Sequence, residues 1–375
     1  MSRPMRALGL MSGTSADGVD ALLLQLDDPD QRHCPRVLGH AYRPFPDALR
    51  TTLRAPEQLR VPEISELSYA LSARYAEAVK AIAAWDTADV CGMHGQTVWH
   101  RPPSQADGGI AHTLQIGSSG ALAQALGLPV VGDMRAADLA LGGEGAPIAP
   151  LSHWMFTPVE HSGRLVVNVG GIANSTFVAE RQEQVLASDI GPGMMITDAL
   201  AHHVSGGQAH YDHDGQLSAG GQPQPAFVEH VLAHPFFSRP LPRSTGREDF
   251  GARYVQSLLE RFGDLAPADL LTSALEVTAR AIAHVALEAL SGVTEIVLTG
   301  GGALHPRIVG RVGQLVACPV VVHTEGALAP QHHEPAAMAL IAARTLHRLP
   351  SGLPGVTGAR APAILGHVHW PTPLG

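Results

Sequence analysis

The sequence predicts an α/β protein built from two related halves, and three observations carry that expectation. Strand-like and helix-like patterns alternate along the whole 375-residue chain. A unit of strand, glycine turn and strand occurs twice, at 7–26 and at 165–189. The chain is also longer than one hydrophobic core ordinarily covers, so two domains are expected.

In chain order, ALGLM and ALLLQL are short apolar runs bounded by turn residues, as buried strands are. Residues 65–84 place Leu67, Leu71, Ala78, Val79 and Ile82 roughly on one helical face. ADVCGMHG reads as a strand ending in a glycine loop, GALAQALG as a short helix and LPVVGD as a strand. The pattern then starts again. RLVVNVGGIANSTFVA is strand, turn and strand, VLASDIGPG a strand closing on glycines, and GMMITDALAHHV a helix. Residues 206–250, rich in Gly, Pro, His and Arg, are expected to form an inserted loop region. TSALEVTARAIAHVALEAL is the clearest helix, with Ser273 and Glu276 at capping-box spacing at its expected start. VTEIVLTGGGA and CPVVVH complete the strands, EPAAMALIAARTLHRL is a last helix, and the Pro/Gly-rich tail is expected to wrap the surface.

Composition narrows the function classes. With 45% apolar and 16% charged residues the chain is globular rather than disordered. A formal net charge of −9 and the lack of a basic stripe argue against general nucleic-acid binding. Cys34, Cys91 and Cys318 are expected as buried free thiols of a reducing compartment. The apolar N-terminal run is too short for a signal h-region, and no uninterrupted apolar run reaches the ~18 residues of a membrane span, so a cytoplasmic location is expected. The histidines at 202, 203, 210, 213, 332 and 333 are expected in solvent or core rather than around a structural metal.

Three loops have the composition to cradle phosphate: SGTSADG (12–18), NVGGIAN (168–174) with DIGPG (189–193), and TGGGA (299–303). None is a Walker A loop and none has the GxGxxG dinucleotide pattern. Asp17, Asp20 and Asp189 adjoin these loops, where a carboxylate can act as a base or orient a metal. Asp20 reads equally well as a turn-capping residue. Asp189 closes a strand expected to point at a ligand crevice between the halves. Asp138 and Glu144, in ADLALGGEGAP, are candidates either for sugar hydroxyls or for loop hydrogen bonds.

GLMSGTSADGVDALL, HGQTVWHRP, TLQIG, GDMRAADLALGGEGAPIAP, NVGGIAN, DIGPG, RSTGREDF, GGGA and LPGVTGA occur in an order that resembles the anhydro-N-acetylmuramic acid kinases, from residue 9 to the tail. The resemblance implies the two-lobed, duplicated actin-like ATPase (sugar kinase) fold, with the active site in the cleft between lobes. It implies an N-terminal lobe, 1–135, with the first phosphate loop, and a C-terminal lobe, 136–375, with the catalytic aspartate, the second phosphate loop and the adenosine loop. The implied reaction uses ATP, Mg²⁺ and water to open 1,6-anhydro-N-acetylmuramic acid and phosphorylate O6, in peptidoglycan recycling.

By the same resemblance, Asp189 is the base that activates water. ATP is held by Gly13, Thr14, Ser15, Ala16, Asp17, Gly18, Val19 and Asp20, by Asn168, Gly170 and Gly171, by Gly191 and Gly193, and by Gly300, Gly301 and Gly302. His94, Gln96, Thr97, Gln115, Arg135, Asp138 and Glu334 are implied on the sugar side. No protein metal site is implied, since Mg²⁺ comes with the phosphates, with Asp189 as its one candidate protein ligand. ATP and an anhydro-amino-sugar are the partners implied, with no nucleic acid or membrane, and a homodimer is left open. The chain departs from the family pattern at Met134, Glu144, Met194 and Arg243, where Phe, Gln, Asn and Lys are usual. The alternatives are a kinase of another 1,6-anhydro-sugar such as levoglucosan, or a catalytically idle nucleotide-binding regulator.

Overall fold

The computed structural model describes residues 3–13, 16–106 and 108–372. Contacts divide it into two units, one running through Val159 and joined by Glu325–Leu328 and the chain from His332 onward, the other comprising Glu160–Thr324 and Ala329–Gln331. The sequence reading set its boundary at 135/136 and left the C-terminal helix with the second half. That helix, His333–Leu346, packs instead on strands of the first unit.

Unit 1 is a six-stranded sheet. Its strands are β1 (Met5–Met11), β2 (Gly18–Leu26), β3 (Arg36–Pro44), β4 (Val90–Met93), β7 (Val130–Gly132) and β13 (His367–His369), in the order β13-β7-β4-β1-β2-β3. A separate hairpin pairs β5 (Gln96–Arg101) with β6 (His112–Ile116). Alternation along β1 sets the layers. Leu8 and Leu10 face a core with Leu71, Tyr75 and Val79 of the helix Val61–Lys80 and Leu122 of the helix Ser119–Leu126. Gly9, on the opposite face, lies against the backbone of the helix His333–Leu346, and Gly92 of β4 does the same at Met338.

Unit 2 has a five-stranded sheet of β8 (Arg164–Val169), β9 (Ile172–Val178), β10 (Leu186–Pro192), β11 (Glu295–Thr299) and β12 (Val320–Val322), ordered β10-β9-β8-β11-β12. In each unit the first strand pairs antiparallel with the second and parallel with the fourth, and the third strand lies antiparallel outside the second. The duplication hinted at by two glycine hairpins is therefore a repeat of one sheet topology. The helix Pro267–His284 is buried on two sides. Leu275, Ala279 and Ile282 join the sheet core, while Leu271, Ala274 and Val277 join a helical core with the helices Met195–Val204, Pro225–Leu232 and Ala252–Phe262. It is the one described helix long and apolar enough to cross a membrane, and it is mostly buried inside the unit.

Several local expectations are corrected. Ser273 and Glu276 are not a capping box, because the helix begins two turns earlier, at Pro267. The Ser273 hydroxyl donates to the Asp269 carbonyl, and Glu276 pairs with Arg280 and Arg311. Residues 206–250 are not all loop, since Pro225–Leu232 and Arg247–Phe250 are helical and Phe227, Phe236 and Phe250 are buried. The tail does more than wrap the surface: β13 extends the first sheet, and Leu353, Ala363 and Leu365 are buried. Cys91 is buried, but Cys34 is exposed.

The contact at Gly9 yields a test. A Cβ there would overlap the Pro335 carbonyl and crowd the Ala339 amide, both in helix backbone that cannot yield cheaply. Gly9→Ala should lower unfolding free energy by about 1–3 kcal/mol, the usual cost of overpacking, measured by denaturant titration. An unchanged midpoint would mean that the helix is held elsewhere.

Candidate functional site

Asp189 sits on β10 opposite Asn174, and the register slips between Asp189 and Gly191, so that Ile190 is a bulge. Bulges re-aim neighbouring side chains. The segment 243–245 lies alongside. The Asp189 N–H donates to the Arg243 carbonyl (2.9 Å), the Arg243 N–H to the Ser188 hydroxyl (2.9 Å), and the Thr245 N–H to Asp189 Oδ2 (2.9 Å). Burial pushes the Asp189 carboxyl up to about 6, with the Thr245 N–H opposing, Glu248 raising it further and Arg243 lowering it. A partly buried carboxylate with a pKa near neutrality has the properties of a general base.

The glycine loops of unit 2 gather beside it. β8, β10 and β11 run in the same direction, so 170–171, 192–194 and 300–302 follow strands that end on one edge of the sheet. The turn 170–171 is tied to the start of the helix Met195–Val204: Gly193 and Met195 donate to the Gly171 carbonyl, and Met194 to that of Gly170. The buried Thr278 hydroxyl anchors the carbonyl of Gly193 (2.7 Å) from below. Gly193 has no room for a Cβ beside the Gly170 carbonyl, and Gly300, at φ +77°, has none beside Asn168. Gly171 and Gly301, by contrast, face outward, with open space over Gly301. Tight glycines thus pin the loops, and the outward ones leave a backbone surface that an anion can approach. That arrangement fits a polyphosphate.

In unit 1 the equivalent edge collects the sugar-side candidates. The loop after β1 is held by Gln96, whose amide donates to the Gly13 carbonyl (3.1 Å) and accepts from the Ser12 hydroxyl. His94, just after β4, is buried. Its Nδ1 donates to the Gly95 carbonyl (2.8 Å), and its Nε2 accepts from both Nε and Nη2 of Arg135 (3.1 and 2.8 Å). Burial, then the Arg135 charge, holds His94 down at about 3, so it stays neutral. Arg135 also donates to the Gly145 carbonyl (2.6 Å) and is pushed down to about 10 by burial. Glu334, in the first turn of its helix, is raised to about 6 by burial, then by Asp20, with Arg135 opposing. Gln115 reaches Thr97 (3.3 Å) across the β5–β6 hairpin.

Other predicted residues lie elsewhere. Thr14 and Ser15 fall outside the described residues. Ala16, Gly18 and Val19 are buried, the last two within the β2–β3 pairing. Asp17 forms ion pairs with Arg54 (2.8 Å) and Arg50 (3.6 Å). Asp20 meets His40 (2.8 Å). Asp138 is buried and holds a loop: its oxygens accept from the Gly145 N–H and the Thr357 hydroxyl, each at 2.8 Å. Gly191 packs against Phe237. Among the described residues no group of three His, Cys, Asp or Glu side chains could hold a metal ion.

Two of the four departures are packed in cores and two are held by hydrogen bonds. Met134 and Met194 are buried, Met194 against Val169 and Ala303. Arg243 donates to the Phe236, Phe237 and Arg239 carbonyls, and Glu144 accepts from Ser104. Sequence reasoning missed Thr245, Glu248 and Thr278. The string RSTGREDF was visible, but nothing in it pointed to Asp189.

A family model described as anhydro-N-acetylmuramic acid kinase matches residues 5–371. A relative from Shewanella amazonensis, named anhydro-N-acetylmuramic acid kinase, is 36% identical over 368 residues, covering 96% of this chain and 97% of its own. Relatives of the same name from Bordetella avium and Streptomyces coelicolor are 36% and 34% identical over 96% and 97% of this chain, and 95% and 93% of their own. With its whole described fold inside that match, the chain belongs to the anhydro-N-acetylmuramic acid kinase family.

Proposed function

We propose that this chain is an ATP-dependent kinase that opens 1,6-anhydro-N-acetylmuramic acid with water and phosphorylates the freed O6. The products are ADP and N-acetylmuramate 6-phosphate, and the step serves peptidoglycan recycling in the cytoplasm. Family membership supports the substrates. Asp189 carries the chemistry: a raised, half-buried carboxyl whose Oδ2 is clamped by Thr245, leaving Oδ1 without a partner among the described residues.

Asp189 Oδ1 takes a proton from water as the water oxygen bonds to the anomeric carbon. The C1–O6 bond breaks, and O6 accepts the γ-phosphoryl group while ADP leaves. Mg²⁺ bound with the nucleotide would supply charge neutralisation on the transferring group. The outward backbone at Gly171 and Gly301 is the proposed phosphate contact. The neutral His94 orients Arg135, which with Gln96, Thr97, Gln115 and Glu334 forms the proposed sugar side. Incubation with ATP and the purified anhydro-sugar in H₂¹⁸O should give a 6-phosphate carrying ¹⁸O at C1. Absence of ATP-dependent product would refute the assignment.

Three further outcomes are expected. Asp189→Asn should lower kcat by about 10²–10⁴, the usual contribution of general-base catalysis, while calorimetry shows ATP still bound. Because Asp189 must be ionised to take the proton and its carboxyl is raised to about 6, kcat should fall as pH drops through about 6, and a profile flat down to pH 4 would exclude this base. A Cβ at Gly301 meets no neighbouring atom, so Gly301→Ala should change stability by no more than ~0.5 kcal/mol while ATP affinity weakens. Unchanged affinity in the folded variant would remove Gly301 from the nucleotide site.

A further inference from the structure

The segment 243–250 makes more contact with Asp189 than packing requires. The Thr245 N–H reaches Asp189 Oδ2, and the Thr245 hydroxyl donates to Asp249 Oδ2 (2.8 Å), one turn further on in the helix Arg247–Phe250. Ser188 and Asp189 meanwhile exchange backbone and hydroxyl hydrogen bonds with Arg243. Phe250 is fully buried among Phe236, Phe237 and Tyr254, which fixes the helix carrying Asp249. Asp249 is therefore a fixed post, Thr245 is tied to it, and the Thr245 amide is aimed at one oxygen of Asp189.

We propose that Thr245 and Asp249 are positioning residues for the water-activating carboxylate: the hydroxyl–carboxylate tie holds the Thr245 N–H on Oδ2, so that Oδ1 alone is presented to water. This rests on the reading of Asp189 as the base. An acceptor-only carboxylate can rotate about its terminal torsion, which is broad. One amide on one oxygen removes that freedom and favours the ionised form. The tie from Thr245 to Asp249 in turn keeps the amide from drifting with its loop. Supporting groups of this kind keep catalytic geometry within the narrow range that a reaction needs. The charged groups facing Asp189 are Glu248 and Arg243 of the same segment, while β9 opposes it with the neutral Asn174. Arg239 lies 3.9 Å from Asp249.

The test compares Thr245→Val, which keeps the shape and the backbone N–H but loses the tie, with Thr245→Ser, which keeps the hydroxyl. Thr245→Val should lower kcat roughly 10–100-fold, the scale of a misplaced catalytic group, with the KM for each substrate near wild type. Its acid limb should move to higher pH, because the ionised Asp189 is less firmly hydrogen-bonded. Thr245→Ser should restore most of both. Added to Asp189→Asn, Thr245→Val should cause little further loss, since residues acting as one unit are not additive. A folded Thr245→Val enzyme with wild-type kcat and acid limb, beside an impaired Asp189→Asn enzyme, overturns the positioning role alone. Loss of melting temperature in Thr245→Val with no change in kcat or acid limb overturns it as well. Full turnover by Asp189→Asn overturns the base reading instead.

Discussion

The parallel pairing of a central strand with the strand that follows its hairpin is the constraint on which each unit depends. β8 pairs with β11 from Arg164 and Glu295 to Asn168 and Thr299, and β1 pairs with β4 from Ala7 and Val90 to Leu10 and Met93. A parallel neighbour ends on the same edge as its partner. The loops after β8 and β11 therefore lie side by side, as do those after β1 and β4. Candidate site residues of each unit lie at that edge, Gly171 and Gly301 in one and Gly13 and His94 in the other.

Glycine then serves two opposed purposes. At Gly9, Gly92, Gly193 and Gly300 another atom occupies the space a Cβ would need, so the residue allows close approach and makes the assembly rigid. At Gly171 and Gly301 little is nearby, and the missing side chain leaves main-chain atoms accessible. Rigid glycines beneath open ones give a preorganised backbone surface, which is how a loop can bind an anion without first paying to order itself.

The ionisable groups are divided in a similar way. His94 and Arg135 satisfy each other in a buried network that keeps the imidazole neutral and leaves the guanidinium fixed in direction. Asp189 keeps one oxygen bonded and is raised toward neutrality by burial. The first arrangement suits recognition, since its charge state is constant over the physiological range. The second suits proton transfer, since its two protonation states are close in free energy.

The sequence by itself determined the α/β class, both glycine hairpins and the place of Asp189 at a strand end, because apolar runs bounded by glycines depend only on local backbone and side-chain preferences. Family motifs in order added the reaction. Tertiary structure decided the rest. The helix His333–Leu346 reads as one more helix of the second half, and its packing on β1, β2 and β4, with close approach at Gly9 and Gly92, assigns it to the first unit. Ser273 and Glu276 mimic a cap that the true start at Pro267 removes. Asp138 looked as available to a sugar as Arg135, yet Thr357, 219 positions away, takes one of its oxygens. The clamp on Asp189 joins residues 56 positions apart, and contacts across such distances have no signature in local periodicity, because they are set by how the chain packs after its elements have formed.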